Sequence, residues 1–213
     1  MPRVYFISGL GADKRVFSFL DLSFCEPIFI DWIKPLKNEP LKDYALRLRQ
    51  LIPESNPVIV GIFLGGMLAS EMAKADKNIK TIIISSNKTS KEFPGYLRFA
   101  KYFPVYKWIP GKTLNNMIFP FKWILGARGK QQKTLLWQII KDTDPAFLKW
   151  AIHAILYWKS TEASSNNIIH IHGTADKLLP FRLVRADYSI EGGTHLMPIN
   201  NYKEISSLLK RLI

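Results

Sequence analysis

The sequence contains a single cysteine, Cys25, in 213 residues. That excludes an internal disulfide and a cysteine-based zinc site, and it fits a reducing, cytoplasmic setting. No uncharged stretch reaches the ~18 residues that a membrane-spanning helix needs. The apolar run Pro57–Ser70 comes nearest, and glycines interrupt it. The opening Met-Pro-Arg-Val-Tyr has no basic leader, apolar stretch and small-residue cleavage site in succession, so no signal peptide is expected. Internal repeats and low-complexity segments are missing as well. Acidic residues are scarce: 17 Asp and Glu stand against 30 Lys and Arg, a formal charge of +13.

What remains is a chain of single-domain length, with 47% hydrophobic residues to build a core. The charge imbalance is local. Lys88 to Lys159 holds 13 basic residues and three acids (Glu92, Asp142, Asp144), whereas the rest of the chain is nearly balanced. Five of the six tryptophans (Trp108, Trp123, Trp137, Trp150 and Trp158) fall in the same segment. The composition divides the chain into an ordinary frame and a basic, aromatic-rich insert. Net charge of this size attracts phosphates, but no recognition motif accompanies it, so nucleic acid is not an expected partner.

Apolar runs at Val4–Ser8, Pro27–Trp32, Pro57–Ile62, Ile79–Ser85, Ile168–His172 and Ala186–Ile190 read as buried strands. Between them, helices are expected over Asp13–Leu20, Leu41–Ile52, Gly65–Lys74 and Tyr202–Ile213. In the second of these, Leu41, Tyr44, Ala45, Leu48, Leu51 and Ile52 recur at helical spacing. Strands that are apolar throughout and alternate with helices predict an α/β fold, a mostly parallel sheet covered on both faces. Residues 87–160 have helical spacing and no such strand. They are expected to form a helical lid inserted in a core made of residues 1–86 and 161–213.

One stretch carries the strongest chemical signal. The strand Val58–Ile62 runs into Gly61-Ile62-Phe63-Leu64-Gly65, and a helix follows at once. A turn that tight needs Gly61 and Gly65 two residues before and after its apex, where side chains would collide. Three other segments follow a fixed order around it. Ser8-Gly9-Leu10-Gly11 follows the first strand, Asp176 lies just beyond the strand Ile168–His172, and His195 lies in the loop after the last strand, in Glu191-Gly-Gly-Thr-His.

These four segments together resemble the α/β-hydrolase superfamily, and within it the small bacterial hydrolases with a helical lid. The likeness runs from about Val4 to the C-terminus and is weakest in the lid. It implies an α/β-hydrolase fold lacking the family's first hairpin, and no cofactor or metal. It implies that His195 is a general base oriented by Asp176, and that the backbone N–H groups of Leu10 and Leu64 form an oxyanion hole. It also implies an apolar or acyl-type small-molecule ligand. The departure is at the apex, where the family's G-x-S-x-G has its serine and this chain has Phe63. A phenyl ring has no lone pair for attack and no proton for His195 to take, so serine-ester hydrolysis is expected to be lost.

Substitute nucleophiles are Ser8, Ser85 and Ser86, which read as strand-end hydroxyls bonded to local backbone. Cys25 precedes an edge strand away from the elbow and reads as a passive small residue. His170 and His172 share one face of a strand, but no Cys, Asp or Glu cluster accompanies them; they read as structural rather than as metal ligands. Tyr102, Phe103, Tyr106 and Trp108, interleaved with Lys101, Lys107 and Lys112, have two readings. They could touch an anionic membrane surface or cover an acyl substrate, or the rings pack inward with lysines as the solvated face, which is the expectation. Three functions stay open: an esterase-like protein with its serine replaced, a non-catalytic binder of a small apolar ligand, and an enzyme using Asp176 and His195 alone as a base.

Overall fold

The computed structural model of the protein describes residues 1–110, 113, 122–160 and 167–213. Six strands form one sheet: β1 (Arg3–Ile7), β2 (Glu26–Ile30), β3 (Val58–Ile62), β4 (Lys80–Ile84), β5 (Ile168–Gly173) and β6 (Tyr188–Ile190). Their order is β2-β1-β3-β4-β5-β6, and every pairing is parallel. Each strand lies within two residues of its expected position. Pro27, which cannot donate to a ladder, sits on the edge strand β2.

Side chains alternate across the sheet, and both faces are covered. Tyr5 and Ile7 of β1, with Ile59 and Ile83, pack under α1 (Leu41–Arg49) and α2 (Leu64–Ala75). Val4 and Phe6, with Val60 and Ile82, pack on the other side against Val16, Phe17 and α8 (Tyr202–Leu212). α1 buries Leu41, Tyr44, Ala45 and Leu48, one stripe at helical spacing. It stops at Arg49, before Pro53, and the Arg49 guanidinium caps the turn by donating to Ile52 O and Glu54 O.

The expected helix Asp13–Leu20 is only a 3₁₀ turn, Lys14–Phe17. Asp13 caps that turn by accepting the Arg15 N–H, and Phe17 is then pinned against Phe6 at 5.2 Å and Phe29 at 5.6 Å. Burying both Val16 and Phe17 from a four-residue turn fixes its end on the sheet, and the turn stops there instead of continuing as an α-helix.

Between β4 and β5 the described residues are helical or irregular: α3 (Gly95–Ala100), α4 (Lys122–Leu125), α5 (Lys130–Asp142) and α6 (Pro145–Leu156). Asp144 caps α6 with Pro145 in its first turn. Phe147, Ala151 and Ile155 of α6 join the core beneath α1 and α2. Lys112, residues 111 and 114–121 of the expected lid, and residues 161–166 lie outside the described residues. One expectation fails here. Tyr106 is buried, but Tyr102, Phe103 and Trp108 are exposed. The helix α3 ends at Ala100, before all four of these rings, so they share no helical face that could turn inward. The chain closes with α7 (Met197–Asn200) and α8.

Candidate active site

All the motif residues lie at the carboxyl ends of strands. The chain leaves β1 toward β2 on one side and returns to β3 on the other. This makes the β1/β3 junction the switch point where ligands enter open α/β sheets. Leu10 follows β1 and Phe63 follows β3.

Phe63 has φ 46° and ψ −109°, a conformation that a residue with a β-carbon adopts at a cost of about 1–3 kcal/mol. The surroundings enforce it. A β-carbon on Gly61 would run into the Gly65 carbonyl, and one on Gly65 into the carbonyls of Ile7 and Ser8. The Phe63 N–H donates to Ile84 O at 3.1 Å, and the Gly65 N–H to Ser8 O at 3.0 Å. Ser86 donates its hydroxyl proton to Phe63 O at 2.6 Å. The elbow is fixed by backbone and by the flanking strands, not by the side chain at its apex.

Asp176 and His195 come together through two glycines. Gly173 and Gly193 approach so closely that a β-carbon on Gly173 would meet the Gly193 backbone. The Ala175 N–H donates to Gly193 O at 2.9 Å, which joins the two loops. His195 Nδ1 then lies 2.8 Å from Asp176 Oδ2. The other carboxylate oxygen, Oδ1, accepts the N–H groups of Leu178 at 2.9 Å and Leu179 at 2.8 Å. Burial works to raise the Asp176 pKa, but the His195 imidazole and these donors outweigh it and hold the carboxyl below its usual range.

Behind Asp176 lies a buried histidine pair. His172 Nε2 is 2.8 Å from Leu179 O, so it carries the proton. His172 Nδ1 therefore accepts from His170 Nε2 at 3.0 Å. The rings bond each other and the backbone, in keeping with a structural part. Burial lowers the pKa of both, and for His170 the neighbouring His172 and Lys88 add to it. Both imidazoles are neutral at pH 7.

The rings of Phe63 and His195 border a cavity of about 630 Å³. Its wall is almost entirely apolar, including Val16, Leu136, Ile139, Leu148, Ile152 and Ile199. Leu10 lines it too. Leu64 is fully buried as the first residue of α2, a position whose N–H has no intrahelical acceptor. Of the substitute nucleophiles, Ser8 donates to Ala12 O at 2.8 Å and Ser86 to Phe63 O. Ser85 is buried with φ 48°. Cys25 is buried beside Val4 and Phe6, where burial pushes its thiol pKa up.

Several residues of this site had no sequence signal. Tyr96 lines the cavity and donates its hydroxyl to Leu178 O; burial, with the Asp176 charge nearby, pushes its pKa up to about 12. The Thr143 hydroxyl lies 2.9 Å from both Gly11 O and Ile139 O, tying α5 to the loop after β1. Trp123 also lines the cavity. These contacts join segments far apart in sequence, and no local spacing announces them.

No protein-family model matches the chain, and no curated protein sequence matches it. Solved structures do. A bromoperoxidase from Bacillus anthracis superimposes with a TM-score of 0.73 at 15% identity, over 99% of this chain and 91% of the other. An esterase from Exiguobacterium antarcticum gives 0.74 at 11% identity, over 100% and 92%. The chain has the α/β-hydrolase fold. The epoxide hydrolase CorEH is similar as well, with a TM-score of 0.71 at 12% identity over 100% of this chain and 91% of that one. Three different chemistries on one backbone mean that the likeness carries the fold and leaves the reaction to the site itself. Among the described residues, no helix is long and apolar enough to cross a membrane.

Proposed function

We propose that this α/β-hydrolase-fold protein takes a small apolar or acyl-type molecule into the cavity beside His195 and does not hydrolyse it through a serine ester. The observation that carries this reading is the Phe63 ring at the elbow apex, 4.9 Å from the His195 ring and nearly perpendicular to it. It stands where an acyl carbon and an attacking hydroxyl would have to meet. The cavity wall supports an apolar ligand, because among the described residues its few polar side chains are Tyr96, Trp123, Thr143, Lys177 and His195. The N–H groups of Leu10 and Leu64 are the donors for a ligand carbonyl oxygen, and residues 87–160 act as the lid. Its single cysteine suits a reducing compartment, the cytoplasm in this reading.

A second reading rests on the dyad. His195 borders the cavity with Nδ1 held by Asp176, so Nε2 is the atom left to move a proton on a bound molecule or water. Calorimetric titration with a medium-chain alkyl ester tests the first reading. Saturable binding without hydrolysis is expected, weakened when Leu136→Trp fills the cavity. Hydrolysis at neutral pH by the parent protein, lost in His195→Ala, replaces it with the second reading.

A further inference from the structure

Between residues 96 and 108 six large apolar side chains face solvent: Tyr96, Phe99, Tyr102, Phe103, Val105 and Trp108, the last 79% exposed and Phe103 74%. Isolated exposed apolar side chains are ordinary, but six in 13 residues are a surface in search of an apolar contact. The segment is held, not loose. The buried Tyr106 hydroxyl is 2.7 Å from His153 Nδ1, Tyr157 donates to Lys101 O at 3.1 Å, and Tyr96 donates to Leu178 O. The segment is thus tied to α6 and to the loop after β5, the latter through Tyr96 itself, while Phe99, Tyr102, Phe103, Val105 and Trp108 stay exposed.

Along the chain, the charge among these rings has one sign, while the Asp176 carboxylate acts on Tyr96 from the loop after β5. Arg98, Lys101 and Lys107 lie among them, and the sequence holds no Asp or Glu from residue 93 to 141. Lys101 Nζ sits over the Tyr102 ring at 4.9 Å from its centroid. Aromatic rings mixed with basic side chains match the interface of an anionic bilayer, where rings enter the headgroup–acyl boundary and lysines meet lipid phosphates. We propose that this segment, with Trp123, docks the protein on an anionic lipid surface and sets the mouth of the cavity against it. Tyr96 and Trp123 fix the direction: both line the cavity and both are at least half exposed, so they form its rim. A ligand dissolved in the bilayer would enter past them. A second copy of the chain fits less well, because pairing two such faces brings like charges together. A nucleic acid would leave Phe99, Phe103 and Val105 without apolar cover. The inference goes beyond the reading of the cavity and does not depend on the chemistry at Phe63.

Vesicle flotation tests it with the intact protein. Vesicles of phosphatidylcholine mixed with phosphatidylglycerol should retain the protein, and phosphatidylcholine alone should retain far less. Phe103→Ser/Trp108→Ser should weaken retention about tenfold or more, and Lys101→Gln/Lys107→Gln about fivefold for each charge removed. All four positions are on exposed or surface segments, so thermal melts should stay at the parent value. Cavity binding measured in the same variants without lipid should be unchanged. The idea is overturned if anionic vesicles fail to retain the parent. Retention that salt abolishes and the aromatic variant leaves intact also overturns it, since that is mere attraction of a +13 chain. So does sedimentation showing self-association that the aromatic variant removes, which assigns the face to a second copy.

Discussion

The Phe63 phenyl ring meets the His195 imidazole edge to face, with ring centroids 4.9 Å apart and planes at 79°. In this arrangement His195 has a hydrocarbon neighbour in place of a hydroxyl. Fluorophosphonate probes, which need an activated serine, should leave the protein unlabelled. The nearby hydroxyls of Ser8 and Ser86 are committed to backbone carbonyls. Labelling mapped to Ser8, Ser85 or Ser86 by mass spectrometry would overturn the assignment of the apex as the nucleophile position.

Gly61 and Gly65 should tolerate no side chain. In Gly65→Ala the added carbon meets the carbonyls of Ile7 and Ser8, which belong to β1, paired on both sides, and the loop after it, and cannot yield. The expected loss is about 3 kcal/mol or more in urea denaturation, or failure to fold. Gly95→Ala is the control: among the described residues nothing lies within 4 Å of the added carbon, and alanine favours α3. Equal stability of the two variants would mean that the close approach at the elbow is wrong.

Acid should destabilise the protein in two stages. His170 and His172 have lowered pKa values in the folded state, chiefly through burial. Below about pH 6.5 the unfolded chain binds protons on both and the folded chain resists, so stability falls as pH drops. Asp176, held below the usual carboxylate range, contributes stability above about pH 4 that is lost as pH falls further, through its folded pKa. His170→Gln should flatten the first stage and leave the second. Urea midpoints measured from neutral to acid pH check this, and stability that rises between neutral pH and pH 5 would contradict it.

Much of this molecule is legible in the sequence because its chemistry is local. Continuous β-branched runs such as Thr81–Ile84 read as buried strands, and Gly61 and Gly65 mark a turn that admits no β-carbon. The order of Phe63, Asp176 and His195 follows from the order of strand ends. What the sequence hides depends on distant partners. Tyr106 turns inward because His153 offers its ring nitrogen, while Phe103 and Trp108, equally apolar, find no cover. Hydrophobic spacing cannot tell these cases apart. The hydrogen bond between His170 and His172 likewise depends on the Leu179 carbonyl fixing a tautomer across a loop.

The elbow also predicts its own rescue. Its backbone is set by Gly61, Gly65 and the bonds from Phe63 N–H to Ile84 O and from Gly65 N–H to Ser8 O, none of which involves the phenyl ring. Phe63→Ser therefore keeps φ near its present 46° and puts a hydroxyl at the apex. The ring now facing His195 is gone, and the space it filled opens to the cavity. Asp176 already holds His195 through Nδ1 at 2.8 Å, which leaves Nε2 to take the serine proton. A serine without such a base is a poor nucleophile at neutral pH, so the gain must depend on His195. Phe63→Ser should hydrolyse p-nitrophenyl butyrate at least about a hundredfold faster than the parent, within the 10²–10⁴ range that a positioned base supplies. Phe63→Ser/His195→Ala should return to the parent rate. A folded Phe63→Ser protein no faster than the parent, or a gain indifferent to His195, would show that Asp176 and His195 are not the remaining two-thirds of a triad. The cavity would then have to be explained by binding alone.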